Sequence, residues 1–229
     1  MNVLNATFFL LNLRRDFFEV AACIFILSIL GYFISGPVEM LLSEPVKGSL
    51  AYFSLQEVFV TKIKLSVYIG FFLATPFVFF KIYKVCFPMT GAGQKIRGIL
   101  VTGAAVFLFF SGAFLCHHFI VPFGMQVLLG FGGDVALPHI SLSDYIDFCV
   151  KLILLFALCF ELPLCMLALA KTGVVNAKKL SKMRRYAILG SAVLSAFITP
   201  PDVTSQVLVM LPLILLYEVS VGLVKMYEK

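Results

Sequence analysis

The carboxylate of Glu161 is the side chain whose position in this sequence most strongly indicates chemistry. It lies inside an apolar run from Leu152 to Ala170. Placing a charged carboxylate at the centre of a bilayer costs roughly 2.5–3.5 kcal/mol on insertion scales. Such a group therefore faces a protein interior, a wet cavity or a partner. Pro163, two residues later, indicates that the helix around it is interrupted.

Two interpretations of Glu161 remain open from the residues alone. As a functional group, it binds a proton or cation beside the interrupted helix, which favours a proton-coupled carrier of small solutes. As a structural group, it is a carboxyl kept neutral by burial and hydrogen-bonded to a neighbour such as Gln206. Carriers usually contain internal repeats, and the first half of this sequence does not resemble the second.

The composition is that of a protein whose solvent is lipid. Hydrophobic residues make up 61% of the sequence and charged residues 13%, and the mean hydropathy is +1.04. Soluble domains have about 45–50% apolar and about 25% charged residues. The net charge of +6 is interpreted as a record of membrane topology, not of nucleic-acid binding.

The sequence lacks the short motifs of common enzymes. It contains no Gly-x-Ser-x-Gly, no His-Glu-x-x-His and no phosphate-binding Gly-x-x-x-x-Gly-Lys-Ser/Thr. None of the six cysteines forms a Cys-x-x-Cys pair or a Cys/His cluster with metal-ligand spacing. We therefore expect no enzymatic activity, no cofactor and no metal site.

Six apolar segments have approximately the length that crosses a bilayer, roughly 17–25 residues. The whole chain, residues 1–229, is thus predicted to be one all-α, six-helix membrane domain. The predicted spans are about 17–35, 65–87, 98–121, 145–170, 186–199 and 203–224. The first, second and third are expected to end at Pro37, Pro88 and Pro122. An amphipathic outer cap is predicted over about 37–64, and Ser141 or Ser143 is expected to cap the fourth helix.

The last two predicted spans are unusual because they are short. The fifth has about 14 residues before a double proline, a rise of about 21 Å, whereas the hydrocarbon core is about 30 Å thick. In the sixth, the wholly apolar stretch covers only residues 207–217. Either these spans thin the bilayer locally or they form a tilted hairpin buried against protein.

The basic residues indicate which way the spans run. Most of the 18 lysines and arginines fall at the amino terminus, in the loops after spans two and four, and in the carboxyl tail. Positive charge favours the cytoplasmic side of a membrane. Both termini are therefore predicted to be cytoplasmic.

Several short motifs, distributed over nearly the whole chain, resemble those of one membrane protein family. In chain order they are Ser54-Leu-Gln-Glu57-Val-Phe59 followed by Lys64 and Pro76, Phe160-Glu161-Leu162-Pro163, Arg184-Arg185-Tyr186, Thr199-Pro200-Pro201-Asp202 followed by Ser205-Gln206, and Leu215-Leu216-Tyr217-Glu218. At this spacing they resemble the TatC family, the core subunits of the twin-arginine protein translocase.

The resemblance implies a multi-pass, glove-shaped protein of the bacterial inner membrane that acts as a receptor. It would bind the twin-arginine signal peptides of folded cargo at the cytoplasm. It would recruit single-span partners of the TatA and TatB type, form a homo-oligomer in the assembled complex, and use the proton-motive force for export. Its remaining partner would be membrane lipid, with no role for nucleic acid.

The same resemblance assigns roles to particular residues. The cytoplasmic signal-peptide surface would comprise Asn12, Arg14, Gln94 and Lys95. The intramembrane partner site would comprise Glu161 and Gln206. The outer cap would be shaped by Glu57, Phe59 and Asp202.

The sequence departs from the family pattern at the signal-peptide surface. Asn12 and Gln94 stand where the family usually has glutamates. An amide accepts a hydrogen bond from a guanidinium group but carries no charge, and hydrogen bonds between ionised groups are roughly twice as strong. Weaker recognition of arginine, recognition shifted to Asp16 or Glu19, and relaxed recognition all remain open.

Overall fold

The computed structural model describes residues 3–46, 50–86, 92–130, 140–199 and 203–228, apart from the side chains of 3–13, 55, 85–86, 92–95, 127–130 and 198. Its helices are α1 (Val3–Ser43), α2 (Leu55–Cys86), α3 (Ala92–Leu115), α4 (Val121–Gly130), α5 (Leu142–Cys159), α6 (Leu162–Lys171), α7 (Ala177–Ile198) and α8 (Val203–Tyr227). Its short elements are a 3₁₀ turn (Glu44–Val46), β1 (Leu50–Ala51), a π turn (Cys116–Ile120) and β2 (Ile140–Ser141). The predicted all-helical character is confirmed, apart from two very short strands.

Five helical stretches of the described residues are long and apolar enough to cross a membrane. They are Arg14–Val46, Gln56–Lys84, Ile96–Gln126, Leu142–Lys171 and Val203–Tyr227. These stretches match the predicted spans one to four and six. The predicted fifth span, 186–199, lies in α7, whose first half is strongly basic. A sixth span therefore stays a prediction.

Helix α8 (Val203–Tyr227) covers the predicted sixth span, about 203–224. The predicted shortness concerned only the wholly apolar stretch, 207–217, and its effect on the bilayer stays a prediction. Helix α8 has 25 residues, which corresponds to about 37 Å. Its polar side chains do not end the helix because they contact the protein: Gln206 bonds to α7 near one end and Glu218 pairs with α7 near the other.

The predicted helix ends at Pro37 and Pro122 are also wrong. Helix α1 continues through Pro37 to Ser43. In the third span, the helical path continues past Pro122 after the π turn, where the Val121 N–H donates to the Cys116 carbonyl five residues earlier. A backbone without water satisfies its polar groups internally, and a widened turn gives a proline ring room within a helix. Pro88 lies outside the described residues.

The chain divides into two compact units, of which the first comprises residues 1–41 and 52–107. Within it, α1 and α2 approach closely at small residues. A Cβ atom at Gly31 would lie 2.8 Å from the Ser66 carbonyl oxygen, and one at Gly70 would lie 2.6 Å from the Ser28 backbone nitrogen. Glycine is thus required at both positions for this helix packing.

The second unit comprises residues 42–51 and 108–229. In it, β1 pairs with β2 in parallel, with Leu50 opposite Ile140. The Tyr145 hydroxyl donates to the Leu42 carbonyl at 2.7 Å. The Ser141 side chain accepts the Asp144 N–H and caps α5, which confirms one of the two predicted capping residues.

The segment predicted as an amphipathic outer cap, 37–64, is made of several short pieces that lead into the second span. It contains the end of α1, the 3₁₀ turn, β1 and the start of α2. Its position outside the membrane stays a prediction.

Candidate functional site

Glu161 lies at a break between two helices. Helix α5 ends at Cys159 and α6 begins at Leu162, with Phe160 and Glu161 in a turn between them. Because Pro163 has no N–H to donate to the preceding helical turn, the regular ladder of hydrogen bonds stops here. The Glu161 N–H instead donates to the Leu158 carbonyl at 3.1 Å. The interruption that Pro163 predicted is confirmed.

The carboxyl group of Glu161 is buried and incompletely bonded. The residue is 7% exposed, and its Oε1 atom has no hydrogen-bond partner among the described residues. Leaving a buried polar atom unsatisfied costs about 1–3 kcal/mol, and more when it is charged. The isolated chain therefore carries the cost of this unsatisfied oxygen.

Close packing against α3 defines the surroundings of this carboxyl group. A Cβ atom at Gly112 would lie 2.7 Å from the Phe160 ring. The main chain of Phe109 lies beside the Glu161 carboxyl, and the Phe109 and Phe156 side chains are fully buried. The break is thus held between packed aromatic rings, and its position is set by the fold of the second unit.

Gln206 does not bond to Glu161. Its Nε2 donates to the Ala192 carbonyl at 3.1 Å, which joins the start of α8 to α7. The structural interpretation in which Gln206 satisfies Glu161 is therefore wrong. Near this contact, the buried Thr199 hydroxyl donates to the Ser195 carbonyl at the end of α7. A role for Gln206 toward a partner helix stays a prediction.

Glu57 serves a local structural role at the start of α2. Its Oε2 accepts the Phe53 N–H at 2.8 Å, and its own N–H donates to the Ser54 hydroxyl at 3.2 Å. This is a variant of the capping box, visible in the sequence as Ser-x-x-Glu, in which the glutamate accepts the N–H of the residue before the N-cap. Phe59, two residues after Glu57, is exposed. Asp202, the third residue assigned to the outer cap, lies outside the described residues.

The predicted signal-peptide surface is described only at Arg14. The Arg14 side chain is exposed, and its guanidinium carbon lies 5.8 Å from the centre of the Phe18 ring. The side chains of Asn12, Gln94 and Lys95 lie outside the description. Their convergence on one surface stays a prediction.

A charged cluster in the first unit involves the two carboxylates considered as substitutes for Asn12 and Gln94. Asp16 and Glu19 both accept hydrogen bonds from the Lys81 ammonium, whose side chain is only 12% exposed. Glu19 also pairs with the Arg15 Nε at 2.8 Å. A guanidinium group from another molecule would have to compete with these cations. The role of Lys81 was missed because it is more than 60 residues away in sequence.

Two of the sequence motifs contact each other, which sequence reasoning also missed. The Arg184 guanidinium pairs with the Glu218 carboxylate at 2.8 Å. The Tyr217 hydroxyl donates to the Leu180 carbonyl at 2.9 Å. The available signal was the opposite charge of the two motifs on consecutive helices.

The apolar helices and the buried carboxylate at a helix break define a class: polytopic helical membrane proteins with an intramembrane polar site. Within that class, the model of the family described as "Sec-independent protein translocase protein (TatC)" matches residues 9–212. The chain belongs to the TatC family. It is accordingly a multi-pass protein of the bacterial inner membrane and a subunit of the Sec-independent protein translocase.

Individual relatives agree with the family match. TatC of Carboxydothermus hydrogenoformans is 33% identical, over 81% of this chain and 78% of the relative. TatC of Campylobacter jejuni is 30% identical, over 94% of this chain and 91% of the relative. A crystal structure of TatC in DDM, described as the twin-arginine translocase receptor, matches with a TM-score of 0.87 and 31% identity, covering 94% of this chain and 99% of that one. The comparisons do not support the solute carrier that Glu161 had left open.

Proposed function

We propose that this chain is the core and receptor subunit of a twin-arginine translocase. In this role it binds signal peptides of folded proteins at the cytoplasm and recruits single-span partner subunits, and export is driven by the proton-motive force. Membership of the TatC family supports the proposal, as does the likeness to a structure described as a twin-arginine translocase receptor.

The unsatisfied carboxyl of Glu161 is the observation on which partner recruitment rests. A single-span partner can offer polar groups in the membrane only from its side chains. Because the Glu161 Oε1 is buried in the isolated chain, a hydrogen-bonding partner side chain reaches it when the packing over the helix break opens. Hydrogen bonds to charged groups contribute about 1.5–3 kcal/mol. The site thus selects a partner helix that carries a donor at the matching depth.

The proposed topology has six spans with both termini in the cytoplasm. The fifth span is the apolar half of α7, residues 186–199, joined tightly to α8 by the Gln206–Ala192 hydrogen bond. At about 21 Å it is shorter than the hydrocarbon core. Thinning of the bilayer is therefore assigned to α7.

Signal-peptide binding is assigned to Asn12, Arg14, Gln94 and Lys95, with amides in place of carboxylates. The amide oxygens of Asn12 and Gln94 can accept hydrogen bonds from the cargo's arginines. Since these bonds lack a charged acceptor, we expect binding to be weaker than a carboxylate would give.

Photocrosslinking in native membranes tests the proposal. One probe replaces Gln94 and another replaces Leu158, which is exposed one turn before Glu161 and leaves the carboxyl in place. We expect the first to capture a signal peptide and the second to capture a small single-span protein. A probe at the exposed Phe107 controls for random encounters in the membrane. If the probes at Gln94 and Leu158 capture no more than this control, the proposal is wrong.

A further inference from the structure

Three helix ends of the second unit meet at one place, which we call the basic end. The Ala177 N–H at the start of α7 donates to the Glu228 carboxylate at 3.0 Å, just beyond the end of α8. The Lys171 ammonium at the end of α6 lies 5.7 Å from the centre of the Tyr227 ring. A shared apolar cluster underlies these contacts: Ala177, Leu180, Tyr217, Val221 and Val224. The basic end is therefore built by tertiary packing.

Positive charge at the basic end is largely unneutralised. Its basic residues are Lys171, Lys178, Lys179, Lys182, Arg184, Arg185 and Lys225. Among the described residues here, the carboxylates are Glu218, which pairs with Arg184, and Glu228, which accepts the Ala177 N–H. Neither forms an ion pair with Lys178, Lys182 or Arg185. An anionic ligand would meet little competition at these side chains.

One face of α7 changes from cationic to apolar over a short distance. Lys178, Lys182, Arg185 and Leu189 follow one another at intervals of four, three and four residues, so they lie on the same face. All four are exposed, and Leu189 is 62% exposed. Arg185 and Leu189 are about 6 Å apart along the axis, and Lys178 is about 16 Å from Leu189. With the fifth span proposed above, residues 186–199, in the hydrocarbon, the headgroup layer, about 5–8 Å thick in one leaflet, lies at Arg185. Lys178 and Lys182 lie farther along the axis and reach this layer through their long side chains.

We propose that Lys178, Lys182 and Arg185 form a binding site for the phosphate headgroups of anionic phospholipids, with the acyl chains packed on Leu189. Charge complementarity favours an anion, and the apolar continuation of the same face favours an anion that carries hydrocarbon. An acidic protein segment would match only the first property. Long basic side chains next to a membrane reach to the headgroups, and clusters of such residues bind anionic lipid.

Native mass spectrometry of the detergent-purified full chain tests this site. Phosphatidylglycerol and zwitterionic phosphatidylcholine are titrated separately into the protein and into the variant Lys178→Gln/Lys182→Gln/Arg185→Gln. We expect phosphatidylglycerol to bind this variant about tenfold or more weakly, with no change for phosphatidylcholine. A control of equal charge loss elsewhere, Lys62→Gln/Lys84→Gln/Lys151→Gln, should retain the original affinity. The charge-preserving variant Lys178→Arg/Lys182→Arg/Arg185→Lys should retain it as well.

Several results would overturn the proposal. One is equal phosphatidylglycerol affinity in the triple-glutamine variant and its control. Another is equal binding of the two lipids by the unaltered chain. A third is displacement of bound phosphatidylglycerol by inorganic phosphate or by a polyglutamate peptide at concentrations as low as those at which the lipid itself binds. That result would make the basic end a general anion-binding or acidic-protein-binding surface. If the triple variant fails to fold by circular dichroism, Arg185→Gln replaces it, with an expected loss of about threefold and Lys151→Gln as its control.

Discussion

In the first unit, Asp16 and Glu19 lie on α1 and share the Lys81 ammonium of α2, whereas Glu161 in the second unit lies at a helix break with an oxygen that has no partner among the described residues. The same chemical group thus joins two helices in one region and is left incomplete in the other. A carboxylate whose oxygens are hydrogen-bonded within the chain stabilises the fold of that chain. An incomplete buried one costs stability in the isolated subunit and gains it back when a partner supplies a donor.

The largest expected effect that tests this contrast is on partner assembly. Glu161→Leu removes the acceptor that we assign to the partner helix. We expect co-purification of single-span subunits to fall about tenfold or more, because a charged hydrogen bond contributes about 1.5–3 kcal/mol. The melting temperature of the isolated chain should stay the same or rise, since the variant no longer buries an unsatisfied oxygen. Quantitative immunoblotting of the purified complex and thermal unfolding in detergent measure the two effects.

The conservative variant Glu161→Gln separates the contribution of the hydrogen-bond acceptor from that of its charge. Glu161→Gln keeps an acceptor oxygen without charge, so partner recovery should lie between those of the original chain and Glu161→Leu. Unchanged partner recovery in Glu161→Leu, or a large fall in its melting temperature, would show that the carboxyl acts within its own chain.

The next effect is on the first unit. Lys81→Met keeps most of the side-chain volume but leaves Asp16 and Glu19 with repelling charges, and of the described cations Arg15 still pairs with Glu19. We expect the melting temperature in detergent to fall by about 2–4 °C. The matched control is Lys84→Met, an exposed lysine on the same helix. Equal melting temperatures of the two variants would contradict a joining role for Lys81.

A smaller effect concerns cargo recognition. Gln94→Glu adds a charge to the proposed signal-peptide surface. We expect a twin-arginine peptide to bind about fivefold more tightly, because a charge-assisted bond is about twice as strong as a neutral one. A twin-lysine peptide should gain less, since an ammonium cannot make the bidentate contact of a guanidinium. Fluorescence anisotropy in nanodiscs measures both peptides, and an equal gain for both would indicate nonspecific attraction.

The smallest effect concerns Glu57, whose carboxylate is hydrogen-bonded to the backbone of its own helix start. Glu57→Ala removes half of the capping box at the start of α2. We expect a loss of about 1 kcal/mol in the free energy of unfolding, with partner recovery unchanged. Glu57→Gln retains an acceptor for the Phe53 N–H and should lose less. Reduced partner recovery in Glu57→Ala, without loss of stability, would place this residue at an interface.

The sequence predicted those features that depend on neighbouring residues. Pro163 indicated the helix break beside Glu161, and Ser141 indicated the start of α5. Five apolar runs indicated their spans because a helix in lipid needs a minimum apolar length. The ends predicted at Pro37 and Pro122 failed because a proline removes only one backbone hydrogen bond from a helix, whereas ending the helix there would leave several terminal groups without intrahelical partners.

Features that join distant parts of the chain were not predictable in this way. The Lys81 cluster and the Arg184–Glu218 pair depend on which helix faces meet, and periodicity within one helix does not determine that. The parallel pairing of β1 and β2 involves two residues on each strand, too few for an alternating pattern.

The π turn at Cys116–Ile120 changes how the third span must be interpreted. Each added residue in such a turn rotates everything that follows by about a quarter of a full circle relative to a regular helix. Val121 and Met125 point into the protein after this rotation. A helical wheel drawn continuously from residue 96 to 126 therefore assigns its last turns to the wrong side. Comparison of lipid-facing positions among relatives should use one wheel before this turn and a second wheel after it.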